Sequence, residues 1–507
     1  MNRIASAALL VLLAGRGSAS TIVVNSTADP GAPGICTLRD AIAAANTDAA
    51  VNACVAGHGT DTIDLTGITG TITVTGNGLP IDSSMSIVGP GAAMLAVDGG
   101  GTFGVVFVTA AHTRTTMSGL TITNRELGVR NNGKLVLTNC VVSNNDGDGG
   151  IETMGSLAVD GCTFTGNTGP FAADIDMESG RLTVRRSMFS NSTHRAIALS
   201  GGLARIADSS FTTPTGGAGA AISNLTAIAT VTNCLFLNNQ SNSVGAAIDN
   251  SSRMTVTGCT FSGNHGTLGG AVFNDKRLTV RNSTFGGNTS DTDGGAIENA
   301  GKLYITNSTF ANNSAANDGG AIASGAGTTL LTNTTFANNS AATGGALFFD
   351  PSGCGAGPCI MSFRNSIVAN STGSSNCSGP ITNRRGNLDS DGSCGDGPAT
   401  DPQLDPGGLA DNGGPTQTIA LQPTSPAINA GMPACPRTDQ RGYLRPGTGA
   451  THCSIGAFEF NSPGCPSRLT ACGAMNVCTD LRSDDNNCGA CGTACAPGQT
   501  CKRGACH

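Results

Sequence analysis

Short runs of alternating apolar and polar residues recur along the chain, and almost none of them is longer than a few residues. "MTV" from Met254, "LTV" from Leu278 and "LYI" from Leu303 each place two apolar side chains on one side of a polar one. A period of two is the signature of a strand with one buried face. Phe261, Phe285 and Phe310 follow these runs but break their parity, so the chain must turn in between, near Asn282 in the middle unit. A second short strand ("STF"), a corner ("GGN"), a variable loop and a third strand ("GGAIEN") complete the unit. Phenylalanine returns at Phe164, Phe189, Phe211, Phe236, Phe261, Phe285, Phe310 and Phe336, in steps of 22 to 26 residues. A fixed period of this size with three strands per unit predicts a solenoid: an all-β, right-handed parallel β-helix of about 25 residues per coil.

The repeated letters have physical reasons. Equivalent residues of successive coils lie ~4.8 Å apart, so the phenylalanines should form one internal stack. Asn145, Asn167, Asn239, Asn264, Asn288, Asn313 and Asn339 should form a column beside it, because asparagine accepts left-handed backbone and can bond to its copy in the next coil. With about a dozen coils, the rod would be roughly 60 Å long. Cys140 with Cys162, and Cys234 with Cys259, hold equivalent positions in neighbouring coils. A disulfide and a pair of stacked free thiols are both open readings for each.

A solenoid exposes its core at its ends and needs caps. "CTLRDAIAAAN" from Cys36 is the clear helical signal: Thr37 can cap it, and Leu38, Ala41, Ile42 and Ala45 fall on one face. Cys36 and Cys54 are placed to staple it. The first twenty residues, with "MNR", an apolar stretch and small residues at Ser18 and Ser20, read as a secretory signal. No later run is long enough for a spanning helix.

Composition narrows the function. The 507 residues include 73 glycines, 20 cysteines, two tyrosines and no tryptophan, with 12% charged residues and a net charge of −7. Such a balance argues against a nucleic-acid partner. Behind a signal peptide, the cysteines suggest disulfides. The candidates are Cys36, Cys54, Cys354, Cys359, Cys377, Cys394, Cys435, Cys453, Cys465, Cys472, Cys478, Cys488, Cys491, Cys495, Cys501 and Cys506. The last eight lie in a tail of some 40 residues without an apolar core, which disulfides must hold. Cys488 and Cys491 also have zinc-ligand spacing, the rival reading.

The residues also resemble known families. "CTLRDAIAAAN" looks like the CSLREA motif of bacterial secreted β-helix proteins. The "FxxN" and "GGAI" elements (Phe285 to Asn288, Gly294 to Ile297, Gly319 to Ile322) are similar to polymorphic outer membrane protein repeats. "DNGGPTQTIALQPTSPAINAG" (411–431), "TDQRGYLRP" (438–446) and "CSIGAFEF" (453–460) look like a choice-of-anchor Q domain. The tail resembles small cysteine-rich modules of exported bacterial proteins. These likenesses imply a pectin-lyase-like β-helix that is exported and displayed at a cell surface. They divide the chain into a signal peptide (1–20), a capping region with the first coils (21–100), the repeats (101–375), an anchor-like region (376–460) and a cysteine-rich module (461–507). The outer-membrane barrel that ends the polymorphic proteins has no counterpart after residue 460.

The fold class hosts enzymes, so chemistry on the coils must be sought. Aligning the third strands gives one outward column: Glu152, Asp176, Ala198, Ser223, Asp249, Phe273, Glu298, Ala323. Glu152 and Asp176 would be neighbours, flanked on the same face by Asp174 and Glu178, and Asp174, Asp176 and Glu178 could hold Ca2+ through oxygen ligands. Asp249 and Glu298 would lie two coils apart, ~9.6 Å, near the upper separation for an inverting glycosidase. The expectation for all four catalytic candidates (Glu152, Asp176, Asp249, Glu298) is nevertheless an ordinary solvated acidic face, because no arginine or lysine is seen beside them. Stacking platforms for sugars are few, and "GHG" at 57–59 reads as a loop. Arg185, Arg281 and Arg364 share another outward position and read as surface charge. The chain is therefore expected to be a monomeric, non-enzymatic surface or extracellular protein, with Ca2+ as the one candidate ion and no other cofactor. Its partner would be a glycan or a cell surface. A polysaccharide lyase or hydrolase acting on polyuronates is the alternative.

Overall fold

The computed structural model describes residues 19–101, 104–170, 173–212, 221–354, 359–395, 397–467, 469–473, 477–496 and 498–507; most of the stretch expected to be a secretory signal lies outside them. The chain winds as a right-handed parallel β-helix. Its three long sheets have 15, 14 and 13 strands, which makes about 13 turns rather than twelve. The first sheet carries runs such as Leu278–Val280 within Arg277–Arg281. The second carries the phenylalanines, as in Thr284–Gly286. The third carries Ile297–Asn299 and its equivalents. In the three long sheets the pairings between coils are parallel, and in the repeats the core positions stack like on like, as Phe261 on Phe285 and Val256 on Val280.

The phenylalanine column runs unbroken from Phe164 to Phe336, with ring centroids 4.4 to 5.0 Å apart and planes within 20° of parallel. All eight rings are buried. The asparagine column is a hydrogen-bonded ladder. Asn288 Nδ2 donates to Oδ1 of Asn313 at 2.8 Å and to the Phe261 carbonyl at 3.1 Å, while Asn288 Oδ1 accepts from Asn264 Nδ2 at 2.8 Å. Asn145, Asn239, Asn264, Asn288 and Asn313 thereby each satisfy a carbonyl of the preceding coil and the amide of the next. A second ladder escaped the pattern of letters: Asn224, Asn250, Asn274 and Asn299 are linked at 2.7 to 2.9 Å at the end of the third sheet. Between the first and second sheets the chain turns through left-handed residues, with φ of 50° at Asn282, 48° at Asn307, 50° at Asn333 and 48° at Asn365. Asparagine tolerates that geometry where most residues would be strained.

The N-terminal end is closed by the helix Leu38–Thr47, whose first turn Thr37 caps by accepting from the Asp40 amide. Leu38, Ala41, Ile42 and Ala45 are buried against the first coils, and a disulfide joins Cys36 to Cys54. Seven further disulfides link Cys354–Cys359, Cys377–Cys394, Cys435–Cys453, Cys465–Cys478, Cys472–Cys491, Cys488–Cys501 and Cys495–Cys506. The zinc reading of the tail fails, since Cys488 and Cys491 are each bonded to another cysteine. Cys140, Cys162, Cys234 and Cys259 are free and buried. Of the two readings open for them, the structure adopts stacked thiols, with the Cys140 amide 3.4 Å from Cys162 Sγ and the Cys234 amide 3.3 Å from Cys259 Sγ.

After the last coil the chain folds back along the outside of the second sheet. Gln440 Nε2 donates to Thr284 Oγ1 at 2.8 Å, Asn307 Nδ2 donates to the Thr438 carbonyl at 2.8 Å, and Asn365 and Met432 exchange two hydrogen bonds. Ile419 packs on Ala311 and Ala337. Within this segment Arg445 pairs with Glu459 at 2.8 Å, and Arg441 with Asp439 at 2.7 Å, all four buried. The cysteine-rich module lies further back: Arg185 pairs with Asp485, and Asp160 Oδ2 accepts from the Gly498 amide at 2.9 Å. Among the described residues no helix is long and apolar enough to cross a membrane.

Candidate functional site

The third sheet is where outward chemistry collects. Its register places Glu152 beside Asp176, then Ala198, Ser223, Asp249, Phe273, Glu298 and Ala323, one per coil. The outward direction follows from alternation, because the flanking residues (Ile175 and Met177 around Asp176) fill the core.

Two expectations need correction. The column does hold a cation: Arg130 lies in register just before Glu152 and its Nε is 2.8 Å from Glu152 Oε2. The sequence carries a signal for it, since "GVRN" sits one coil before "GIET", and a column begun at Glu152 starts one coil too late. Burial raises both Asp176 and Asp249, and a second arginine, Arg195, opposes that rise at each without cancelling it. The other correction concerns Asp174, which does not share the face of Asp176. Its backbone precedes the strand, and its carboxylate turns inward and is wholly buried. There it accepts from Asn167 Nδ2 and Ser192 Oγ, each at 2.8 Å. Ser192 follows Asn167 where the ladder would require another asparagine, and the Asp174 carboxylate takes up the orphaned donors. Asp174 therefore cannot join Asp176 and Glu178 around an ion.

What remains is a cleft of about 180 Å3 lined by Arg130, Asp148, Glu152, Pro170, Asp176 and Glu178. Its two central carboxylates differ in environment. Glu152 has its arginine, whereas burial, with Glu178 and Glu152 nearby, pushes Asp176 up to about 6. Asp176 Oδ1 is buried with no hydrogen-bond partner. The remaining acids are dispersed. Asp249 is three strand steps from Asp176, ~14 Å, with Ala198 and Ser223 between; Ser223 Oγ donates to it at 3.4 Å. Glu298 is two steps further, behind Phe273. Burial, assisted by Asp293 and Asp318, pushes Glu298 up to about 8. No group of the described acids converges closely enough to cage a metal ion; the cluster Cys488, Cys495 and Cys506 does so geometrically, but all three sulfurs are in disulfides.

The model of the right-handed β-helix region matches residues 172–341, about a third of the chain. No curated protein matches it. Among solved structures, the crystal structure of pectate lyase Pel9A aligns over 88% of this chain and 98% of its own, with 15% identity and a TM-score of 0.32.

Proposed function

We propose that this protein is an exported rod, displayed on the cell surface or released outside it, that works by presenting its faces rather than by turning over a substrate. The observation that carries this reading is the destination of the repeated residues. Phenylalanine, asparagine and glycine recur because they close the coil, while the outward acidic column changes residue at each step. Alanine, serine and phenylalanine keep Asp176, Asp249 and Glu298 apart. Eight disulfides suit an oxidising compartment, and the leader sequence, the CSLREA-like cap and the anchor-like segment support export. Protease treatment of intact producing cells tests it: the rod is expected outside the permeability barrier, in the digestible or released fraction. A protein found only after lysis overturns the proposal.

A second reading rests on the Arg130–Glu152–Asp176 cleft. A carboxyl raised toward neutrality beside one paired with arginine is an arrangement that the division of labour in glycoside hydrolysis could use. Release of reducing ends or unsaturated products from polyuronates, lost in Glu152→Gln and Asp176→Asn, would establish it. The expected result is no release from any polymer.

A further inference from the structure

The outer face of the first sheet carries a feature that the overall charge of −7 conceals. Three successive strands, Arg253–Thr257, Arg277–Arg281 and Lys302–Thr306, are paired in perfect register. Their outward positions form a grid of nine side chains. The first column is Arg253, Arg277, Lys302; the second Thr255, Thr279, Tyr304; the third Thr257, Arg281, Thr306. Four are cations, four are threonines, one is tyrosine, and none is acidic. The grid spacing is ~4.8 Å between strands and ~6.6 Å along them.

Arg253, Arg277, Lys302 and Arg281 are exposed, and none of them has a carboxylate within ion-pairing distance among the described residues. Asp275, two residues before Arg277, is engaged at 3.3 Å by Lys276. The Arg277 guanidinium lies 5.4 Å above the Tyr304 ring centroid, which holds it over the face. Like charges directly opposite one another on adjacent strands are destabilising. The coil has no need of them, since the same column is filled by Ile228 on one side and Thr328 on the other. The returning C-terminal segment covers the second sheet and leaves this face open.

We infer that this grid is a docking surface for a linear, carboxylate-bearing polysaccharide laid across the coils. The cations supply charge complementarity at regular intervals, and the threonine hydroxyls between them can exchange hydrogen bonds with a polyhydroxylated chain. A single-stranded nucleic acid would require several aromatic platforms, and Tyr304 stands alone on the face. The inference names a partner class for the display role and rests on that reading, but it is tested separately: the purified full chain is used, so the outcome does not depend on where cells place it.

The experiment is retention of the purified protein by polygalacturonate, with neutral dextran and polyphosphate as comparison polymers, across a salt series in chelator. Retention by polygalacturonate above both is expected, weakening steeply with salt. The triple variant Arg253→Ser, Arg277→Ser, Lys302→Ser should lose at least tenfold in affinity, with a log–log salt slope shallower by roughly 2 to 3. Arg277→Gln alone should lose severalfold, and it decides the matter if the triple variant does not fold. No preference for polygalacturonate over dextran overturns the inference. So does equal or stronger retention by polyphosphate, or undiminished binding by the folded variants.

Discussion

Gln440 Oε1 accepts a 2.7 Å hydrogen bond from Thr309 Oγ1, a residue 131 positions earlier in the chain. Through its Nε2 the same amide donates to Thr284 Oγ1 and Thr416 Oγ1, so one buried side chain ties two coils of the rod to the segment that sheathes them. Gln440→Ala removes one partner each from the Thr284, Thr309 and Thr416 hydroxyls and from the Gln417 carbonyl in a buried interface. A loss of about 1–3 kcal/mol is expected. Hydrogen exchange should show the damage as faster exchange across residues 411–460, with the coils before Phe236 unchanged. Uniform exchange throughout would contradict a sheath held at discrete points.

Phe285 has a ring neighbour on each side, at 4.4 and 4.5 Å, whereas Phe164 has one, at 4.8 Å. Phe285→Ala should cost about 3–5 kcal/mol through lost transfer energy and a cavity. Phe164→Ala should cost less, because it interrupts a single contact. Denaturant melts of the two variants give the comparison; equal losses would mean that the column does not act as a stack.

Asp174 is fully buried, and burial pushes it up to about 7 against the hydrogen bonds from Asn167 and Ser192. The folded state therefore holds its proton at a pH where the unfolded chain has released it. The raised value makes stability fall as pH climbs from about 4, the ordinary carboxyl range, to about 7, after which this contribution is constant. Asp174→Asn should flatten that fall and be more stable than the parent at pH 8, while gaining nothing at pH 4. Melting temperatures of both proteins across that range check the sign. A variant that is less stable at both ends would show that the carboxylate is kept for its hydrogen bonds alone.

Cys140, Cys162, Cys234 and Cys259 are sealed among core side chains, and burial together with the Cys259 contact pushes the Cys234 thiol well up. An alkylating reagent should add nothing to the native protein, because all four sulfurs are buried out of its reach. Unfolding without reductant should expose four sites, counted by intact mass. Two or none in the unfolded protein would mean that adjacent coils had been cross-linked.

Much of the rod is legible in the letters because its period is dictated by geometry. Phe285 must sit above Phe261 once the coil length is set, and Thr37 announces its helix by the residues that follow it. The pairing Glu152–Asp176 can be read the same way. What the letters conceal is direction at the corners. Asp174 looks like a companion of Asp176 by alternation, yet it precedes the strand, where the backbone turns and alternation no longer holds. Arg130 is hard to place because its coil is 22 residues long and has no phenylalanine to mark it. The cationic grid is hidden by arithmetic of another kind: Arg253, Arg277 and Lys302 are 24 and 25 residues apart, so only register brings them together. Nor can the letters show that Asn307, Asn333 and Asn365, set at left-handed corners, lend their side chains to a segment far downstream.

That last feature bears on how the rod would fail under tension. Backbone hydrogen bonds between coils run along its axis, so a pull on the two ends would peel turns away one after another, each yielding alone. The returning segment is fastened crosswise over the coils from Thr284 to Asn365, like a batten nailed across planks. Beneath it several turns must give way together, which should shift the site of mechanical rupture to the unsheathed coils nearer the N-terminus.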